Sequence, residues 1–248
     1  MSLSKKCVDT VRILSAEAIE RAKSGHPGIC LGAAPIGYEL FADFLNFSYN
    51  NPKWDNRDRF VLSAGHGSML LYSLLHLFGF GLTKDDLMNF RQLGSLTPGH
   101  PEHGKTIGVE TSTGPLGQGL GNAVGFAVAE AHLAAIFNKP DYNIVDHYTY
   151  VLCGDGCLEE GISYEACSFA GNQKLGKLIL LYDCNKITIE GDIKTSFSED
   201  TATRFLAHGW QVIRVPDAND LTFLKAAIER AKAETERPSL VICNSKIG

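Results

Sequence analysis

The sequence predicts an α/β fold, with a doubly wound and mainly parallel sheet and helices on both of its faces. The second half of the chain alternates apolar, strand-like runs with amphipathic helical stretches. Apolar runs without polar alternation are typical of parallel strands that are covered on both faces. The chain has 248 residues, of which 44% are hydrophobic and 21% charged, and an α/β domain of this size often remains undivided. We therefore predict one domain over residues 1–248.

The first half of the chain is predicted to be mainly helical. Val11, Leu14 and Ala18 recur at helical spacing, and the Gly/Pro-rich segment that follows is a signal for a helix end. The next elements expected in chain order are a helix over 31–47, a buried strand over 59–63, an apolar helix that ends near Phe78 and a short helix over 84–91. Residues 93–115 are rich in Gly, Pro, Ser and Thr. Loops of this length in compact domains are usually functional.

Strands and helices alternate regularly from Gly117 onward. Strands are predicted over 148–153, 178–182, 210–215 and 239–243. The helices between them are predicted over 120–137, 159–170, 201–208 and 221–233. In parallel sheets of this kind, ligands bind at the carboxyl ends of the strands. We therefore expect the functional residues directly after the predicted strands.

Composition excludes several classes of function. The formal net charge is -5 without a run of like charges, so we expect no nucleic-acid-binding surface. The longest uncharged run, 111–129, contains five glycines and a proline, a composition that disfavours a membrane-spanning helix. The amino terminus lacks the apolar core of a signal peptide. Seven cysteines without a Cys-x-x-Cys pair are typical of free thiols in a reducing compartment. We predict a cytoplasmic protein without a membrane or nucleic-acid partner.

One glycine-flanked carboxylate is the strongest candidate for chemistry. Gly154, Asp155 and Gly156 follow a predicted strand and precede a predicted helix, where glycines let the backbone approach a ligand and the helix terminus favours phosphate. Asn185 follows the next strand, so its side chain should lie beside Asp155 at the same edge of the sheet. A carboxylate and an amide oxygen next to a phosphate suit Mg²⁺. The alternative is that both positions are simply turns, because Gly-Asp-Gly is a common turn sequence.

Residue types alone leave two other kinds of site open. Four loop histidines could form a zinc site, although they lack the spacing of a metalloprotease and no cysteine pairs with them. These histidines are His26, His66, His100 and His103. A nicotinamide site would require Gly-x-Gly-x-x-Gly after a strand. The glycine run that begins at Gly117 has a different order and follows a loop, which makes this alternative weak.

The motifs of this chain resemble those of a known family. Gly154-Asp155-Gly156, followed by 28 residues and then Asn185, resembles the thiamine diphosphate motif, and the sequences over 154–161 and 185–191 are similar to those of transketolase. Further transketolase-like segments occur in the family's order at 23–28, 62–67, 98–102 and 113–119. The resemblance covers nearly the whole chain. It implies the thiamine diphosphate-binding fold, on the diphosphate side of the cofactor, with the pyrimidine-binding and C-terminal domains absent from 1–248.

The resemblance implies a metal site and a diphosphate site. Asp155, Asn185 and the backbone carbonyl of Ile187 would coordinate Mg²⁺, which bridges the diphosphate of thiamine diphosphate. Gly156 and His66 would contact the diphosphate directly. The family usually has Asp or Asn where this chain has a cysteine, directly before Asn185. Because that residue is not needed as a ligand, the difference affects only local packing.

The resemblance also implies contacts with the rest of the cofactor, the substrate and a second subunit. Gly114, Pro115 and Leu116 would line the cofactor's pyrimidine and thiazolium rings. Two histidines, His26 and His100, would face the substrate's oxygens, where imidazoles can donate hydrogen bonds and move protons near neutral pH. A further pair resembles interface glutamates that link the two active sites of a dimer. These glutamates are Glu160 and Glu165.

The implied activity is transfer of a two-carbon ketol unit from a ketose phosphate to an aldose phosphate. The chain is expected to bind half of the cofactor and to be inactive alone, because the family's pyrimidine-binding domain supplies the glutamate that activates the cofactor. Its expected partner is a C-terminal transketolase subunit or the missing domains, in a homodimer or heterotetramer. Two alternatives remain, a non-catalytic assembly module and a related enzyme such as deoxyxylulose-phosphate synthase. The histidines at 26 and 100, in their Gly-His-Pro contexts, favour transketolase.

Overall fold

Five parallel strands form the central sheet of the computed structural model, which describes residues 2–189 and 191–248. The described part of the chain has two further short strands, and all strands are numbered in chain order. They are β1 (Arg59–Leu62), β2 (Thr149–Gly154), β3 (Leu178–Cys184), β4 (Ile187–Thr188), β5 (Gly191–Asp192), β6 (Gln211–Val215) and β7 (Ser239–Asn244). The order in the sheet is β1-β2-β3-β7-β6, and every neighbouring pair in it is parallel. Strands β4 and β5 form a separate antiparallel pair. The predicted parallel sheet is confirmed.

Helices cover both faces of this sheet. They are α1 (Leu3–Ala22), α2 (Pro27–Gly32), α3 (Ala34–Glu39), α4 (Ser68–Leu77), α5 (Lys84–Met88), α6 (Gln118–Phe137), α7 (Asp155–Glu159), α8 (Gly161–Asn172), α9 (Thr201–Ala207) and α10 (Leu221–Lys232). Because β7 lies between β3 and β6, the chain reverses its direction across the sheet after β6. Right-handed crossovers therefore put α10 on the opposite face from α6 and α8. Helix α10 packs on α3, and α6 packs on α8, as a doubly wound sheet requires.

The apolar pattern of the strands and helices explains the core. In the two central strands, Val151, Leu152 and Leu180 are at most 1% exposed, because helices cover both faces of the sheet. Helix α1 buries the predicted apolar stripe, including Val11 and Ala18. Burial of a Val or Leu side chain contributes about 1.5–3 kcal/mol. The buried apolar residues form one cluster that runs through the sheet and both helical layers.

The structure corrects three predicted helices. The helix predicted over 31–47 begins earlier, at Pro27, breaks at Ala33 and ends in a π-helical segment at Leu40–Phe44. Pro35 has no N–H to donate, which explains why the hydrogen-bonded ladder is not continuous there. The helix predicted over 84–91 ends at Met88. The helix predicted over 159–170 is α8, which begins two residues later because Glu160 is extended, and a separate short helix, α7, precedes it.

One helix among the described residues is long and apolar enough to cross a membrane. This is α6, with a mean hydropathy of 1.4 over the relevant window. One face of α6 packs on β1 and β2 and against α8, while Leu133, Ile136 and Phe137 at its end are exposed. A single helix of this kind is weak evidence for a membrane span, because a core helix of a globular protein has the same length and composition.

The free energy of unfolding should change with pH because of His147. This residue lies before β2, at the end of the sheet opposite the carboxyl ends of the strands. Burial and the charges of Arg59 and Lys177 lower the pKa of His147 to about 4. The unfolded chain, with a histidine pKa of about 6.5, binds more protons than the native state between these values. The stability contributed by neutral His147 is therefore lost as the pH falls through this window, by up to about 3 kcal/mol.

We expect His147→Gln to reduce the slope of unfolding free energy against pH, measured by urea denaturation between about pH 7 and about pH 4.5. His132 is an exposed histidine on α6, and His132→Gln is the matched control. A slope for His147→Gln equal to that of the unmodified chain would contradict the low pKa assigned to His147.

Candidate active site

Two polar loops meet at the carboxyl edge of the sheet. Strands β2 and β3 are neighbours, with Gly154 paired to Asp183, so the residues that follow them emerge side by side. The contact is direct, because the backbone N–H of Lys186 donates to Oδ2 of Asp155 at 3.1 Å. The structure thus brings Asp155 next to the loop that carries Asn185, in the arrangement that the strand order predicts.

Asp155 is a buried carboxylate with few partners. Its exposed fraction is 3%, and its Oδ1 accepts a hydrogen bond from the Tyr182 hydroxyl. Burial raises the pKa of Asp155 above the usual value, and the hydrogen bonds from Tyr182 and Lys186 offset only part of this effect. A desolvated carboxylate of this kind gains when a cation is placed beside it.

Asn185 is held in one orientation by its neighbours. Its Oδ1 accepts the backbone N–H of Ile187 at 2.9 Å, and its Nδ2 donates to Oδ2 of Asp183 at 2.9 Å. Asp183 is fully buried and also accepts the hydroxyl of Ser245, and burial raises the pKa of Asp183 to about 6. Sequence reasoning missed Asp183 because it lies within an apolar strand. The only signal for it was that a charged residue occurs in an otherwise apolar run.

A cavity of about 610 Å³ opens between these loops and the amino-terminal part of the chain. Eight of the twelve residues that were predicted to bind the metal, the cofactor or the substrate, or to face a partner, line it. They are His26, His66, Gly114, Leu116, Asp155, Gly156, Asn185 and Ile187. Residues that were given no individual role in the sequence analysis, among them Gly28, Ile189 and Ile247, also line the wall. Their signal was weak, because two are apolar residues outside the buried core.

The remaining predicted site residues lie outside the cavity wall. His100 lies at the rim, since a Cβ on Gly114 would be 3.4 Å from the His100 ring. Pro115 does not line the cavity, although both of its neighbours in the chain do. The other two residues, Glu160 and Glu165, are exposed at the start of α8. They lie on the surface rather than in the cavity, and a surface position is what an interface role would require.

Three histidines converge on one side of the cavity. The rings of His26 and His66 are 5.1 Å apart in an edge-to-face arrangement. Burial, with the nearby imidazoles of His26 and His100, lowers the pKa of His66 to about 4. Burial and the charge of Arg91 also lower the pKa of His26 and of His100. The three rings are therefore neutral at pH 7, and each carries one hydrogen-bond donor and one acceptor.

Close backbone packing keeps the His66 loop against the Gly114 loop. A Cβ on Gly65 would lie 2.7 Å from the backbone nitrogen of Gly114 and from Oγ1 of Thr113. Real Cβ contacts are not this short, so only glycine allows the two loops to touch here. This explains how residues far apart in the sequence can line one cavity.

The donor set of the strand-end loops suits a hard cation. No three His, Cys, Asp or Glu side chains within residues 2–189 and 191–248 form a group that could hold a metal. A metal bound here would depend on the carboxylate of Asp155, the amide oxygen of Asn185, a backbone carbonyl and ligand oxygens. Mg²⁺ is held in this way, by one or two carboxylates together with phosphate oxygens and water. The predicted zinc alternative therefore has no set of ligands in the described part of the chain.

Comparison with known proteins identifies this arrangement. Residues 3–248 match the family model described as transketolase, thiamine diphosphate binding domain. The transketolase of Halalkalibacterium halodurans is 60% identical over 97% of this chain and 36% of its own length. Transketolase 1 of Escherichia coli is 57% identical over 100% of this chain and 37% of its own length. The chain thus spans about a third of these curated relatives.

Solved structures agree with these relatives. A crystal structure of transketolase from Pichia stipitis in complex with sedoheptulose 7-phosphate has a TM-score of 0.98 and 50% identity, covering 100% of this chain and 36% of that one. The transketolase of Leishmania mexicana matches with the same TM-score and identity, over 37% of its chain. These matches confirm the predicted fold and the predicted resemblance. The chain belongs to the transketolase family, and the part of the family that it matches is the thiamine diphosphate-binding domain.

Proposed function

We propose that this chain is the diphosphate- and Mg²⁺-binding part of an active transketolase that moves a two-carbon ketol unit from a ketose phosphate to an aldose phosphate. The observation that carries the proposal is the meeting of Asp155 and the Asn185 loop at one wall of a cavity, whose other wall holds His26 and His66. The relative from Pichia stipitis is described in complex with sedoheptulose 7-phosphate, which is a ketose phosphate and supports this class of substrate.

In the proposed site, Asp155, Asn185 and the carbonyl of Ile187 hold Mg²⁺. His66, Gly114, Pro115, Leu116, Gly156 and Asn185 are the proposed contacts of thiamine diphosphate. The buried carboxylate and the neutral oxygens fit the cation, and the cavity wall fits a ligand that bears phosphate oxygens. When bound, the cofactor supplies an electron sink for carbon–carbon bond cleavage.

The proposed roles of His26 and His100 follow from their neutral rings. An imidazole N–H can donate to a substrate oxygen that becomes negatively charged, and the other ring nitrogen can accept a proton from a hydroxyl group. His26 lines the cavity and His100 lies at its rim. Both can therefore reach a substrate bound in the cavity. Apart from His26, the titratable side chains that line its wall among the described residues are His66, Asp155 and Cys157.

Activity is proposed to require the rest of a transketolase, in the same polypeptide or in a partner chain. The chain covers 36–37% of the curated relatives, and we propose that residues 1–248 act as one unit that is inactive alone. Exposed Glu160 and Glu165, next to exposed Ile162 and Phe169, would face the partner in a homodimer or heterotetramer. The seven free thiols suit the reducing cytoplasm that we propose as its compartment.

The test is complementation. The chain is mixed with a polypeptide that carries the remaining part of a related transketolase, and ketol transfer is measured with and without thiamine diphosphate and Mg²⁺. We expect transfer only when both polypeptides, the cofactor and the metal are present. A His26→Ala chain is the matched control for a site that is folded but impaired. Formation of a cofactor-loaded complex without turnover would contradict the proposal and favour a non-catalytic module.

A further inference from the structure

Asp183 is a buried charged residue to which the proposed reaction gives no direct part. It lies at the end of β3, has an exposed fraction of 0% and does not line the cavity. Burying a carboxylate costs several kcal/mol unless its oxygens are hydrogen-bonded. Two side chains provide these bonds. The Ser245 hydroxyl donates to Oδ1, and the Asn185 amide donates to Oδ2 at 2.9 Å.

The bond to Asp183 determines which way the Asn185 amide faces. A carboxylate only accepts hydrogen bonds, so only the NH₂ end of the amide can be placed against it. The amide oxygen is then directed away from Asp183, where it accepts the N–H of Ile187 at 2.9 Å and keeps a second lone pair. A flipped amide would place oxygen against oxygen and lose both hydrogen bonds. Asp183 therefore presents the oxygen, rather than the nitrogen, of Asn185 to the site.

Ser245 anchors Asp183 from the neighbouring strand. Strands β3 and β7 are paired, with Cys184 opposite Asn244, and the backbone N–H of Ser245 donates to the carbonyl of Cys184 at 3.3 Å. The chain then continues to Ile247, which lines the cavity. One buried carboxylate thus connects the loop of Asn185 to the segment that closes the opposite side of the cavity.

We propose that Asp183, held by Ser245, is a positioning residue that orients the side-chain oxygen of Asn185 toward Mg²⁺. The inference rests on the proposed function, since it concerns the metal site of that function. Asp183 itself touches neither metal nor substrate. Its contribution is to restrict a metal ligand to one of two otherwise similar orientations, and loss of such an outer partner typically lowers metal affinity by about 10- to 100-fold.

The first test observes the Asn185 amide without any metal. In the chain labelled with ¹⁵N-asparagine, the Asn185 NH₂ signals, identified by their loss in Asn185→Gln, are expected to exchange slowly with solvent. Asp183→Asn is expected to accelerate this exchange by about tenfold or more, because the replacement amide can present its NH₂ group as well as its oxygen to Asn185, which allows both orientations of the Asn185 amide. The exposed pair Asp217 and Asn219 has the same spacing and the same type of hydrogen bond. Asp217→Asn is therefore the matched control and should leave the Asn185 signals unchanged.

The second test measures the affinity for Mn²⁺ in the presence of inorganic diphosphate, by electron paramagnetic resonance of the free ion. We expect Asp183→Asn to weaken Mn²⁺ binding by about 10- to 100-fold, with a smaller loss in Ser245→Ala, recovery in Ser245→Thr and no change in Asp217→Asn. Ser245→Ala removes the hydroxyl and Ser245→Thr keeps it with one added methyl group, and Ser245 does not line the cavity, so this comparison remains informative if Asp183→Asn does not fold.

The two proposals fail in different ways. Absence of Mn²⁺ binding by the unmodified chain would contradict the proposed metal site itself. Normal binding by the unmodified chain, combined with unchanged Mn²⁺ affinity and unchanged amide exchange in Asp183→Asn and Ser245→Ala, would overturn only the positioning role. Faster exchange together with weaker binding in these variants would support both proposals.

Discussion

Asp155→Ala is expected to abolish Mg²⁺-dependent binding of thiamine diphosphate, with a loss of affinity of more than about 100-fold. Asp155 is the only Asp or Glu that lines the cavity in the described part of the chain, so the variant removes the negative charge that the cavity wall itself offers the cation. The two other proposed ligands are neutral oxygens. Without the carboxylate, these two neutral oxygens cannot offset the free energy that is needed to dehydrate a divalent ion.

The fold should survive this change. Burial raises the pKa of Asp155, which means that its negative charge at neutral pH destabilises the native state relative to the unfolded chain. Removing the charge relieves this cost, although the Tyr182 hydroxyl loses its acceptor in the alanine variant. Asp155→Asn removes the charge and keeps one acceptor oxygen for the Tyr182 hydroxyl, although the NH₂ group in place of Oδ2 can no longer accept the Lys186 N–H. We expect its thermal midpoint to equal or exceed that of the unmodified chain.

The measurement is calorimetric titration of thiamine diphosphate into the complemented enzyme at several Mg²⁺ concentrations. The affinity of the unmodified enzyme should rise with Mg²⁺, whereas the two Asp155 variants should show no such rise. A variant that keeps full turnover at limiting Mg²⁺ would show that the metal assignment is wrong.

His100→Ala is expected to lower kcat by about 100-fold, with little change in the affinity for the cofactor. His100 is at the rim of the cavity, beside Gly114, and does not line the wall that the strand-end loops form. Its loop is held independently of its ring, because the Tyr72 hydroxyl donates to the carbonyl oxygens of Pro98 and His100. Removing the imidazole should therefore leave the cofactor contacts intact.

The replacement His100→Gln separates two explanations for such a loss. Glutamine can donate and accept hydrogen bonds but does not take up a proton near neutral pH. Activity that recovers in the glutamine variant would indicate hydrogen bonding to the substrate, and activity that remains low would indicate proton transfer. Equal losses of kcat and cofactor affinity in His100→Ala would instead indicate that the ring has a structural role.

Local patterns in the sequence were enough to predict most of the fold. Apolar runs such as Val151–Leu152 predicted central strands, and the helical spacing of Val11 and Ala18 predicted α1. These patterns depend on residues that are near each other in the chain, and burial on one or both faces is what creates them. The predicted helix bounds were wrong where one residue interrupts helical structure, as at Ala33 and Glu160.

The sequence by itself determined the α/β class, the strand-end position of Asp155 and Asn185, and the resemblance to a family. Only the tertiary structure decided which distant residues meet. The contact of Gly65 with Gly114 and the hydrogen bond from Ser245 to Asp183 both join segments that are far apart in the chain. Such contacts follow from strand order and from close packing between loops, which no local pattern encodes. A buried carboxylate is thus recognisable as a positioning group only once its partners from other strands are seen.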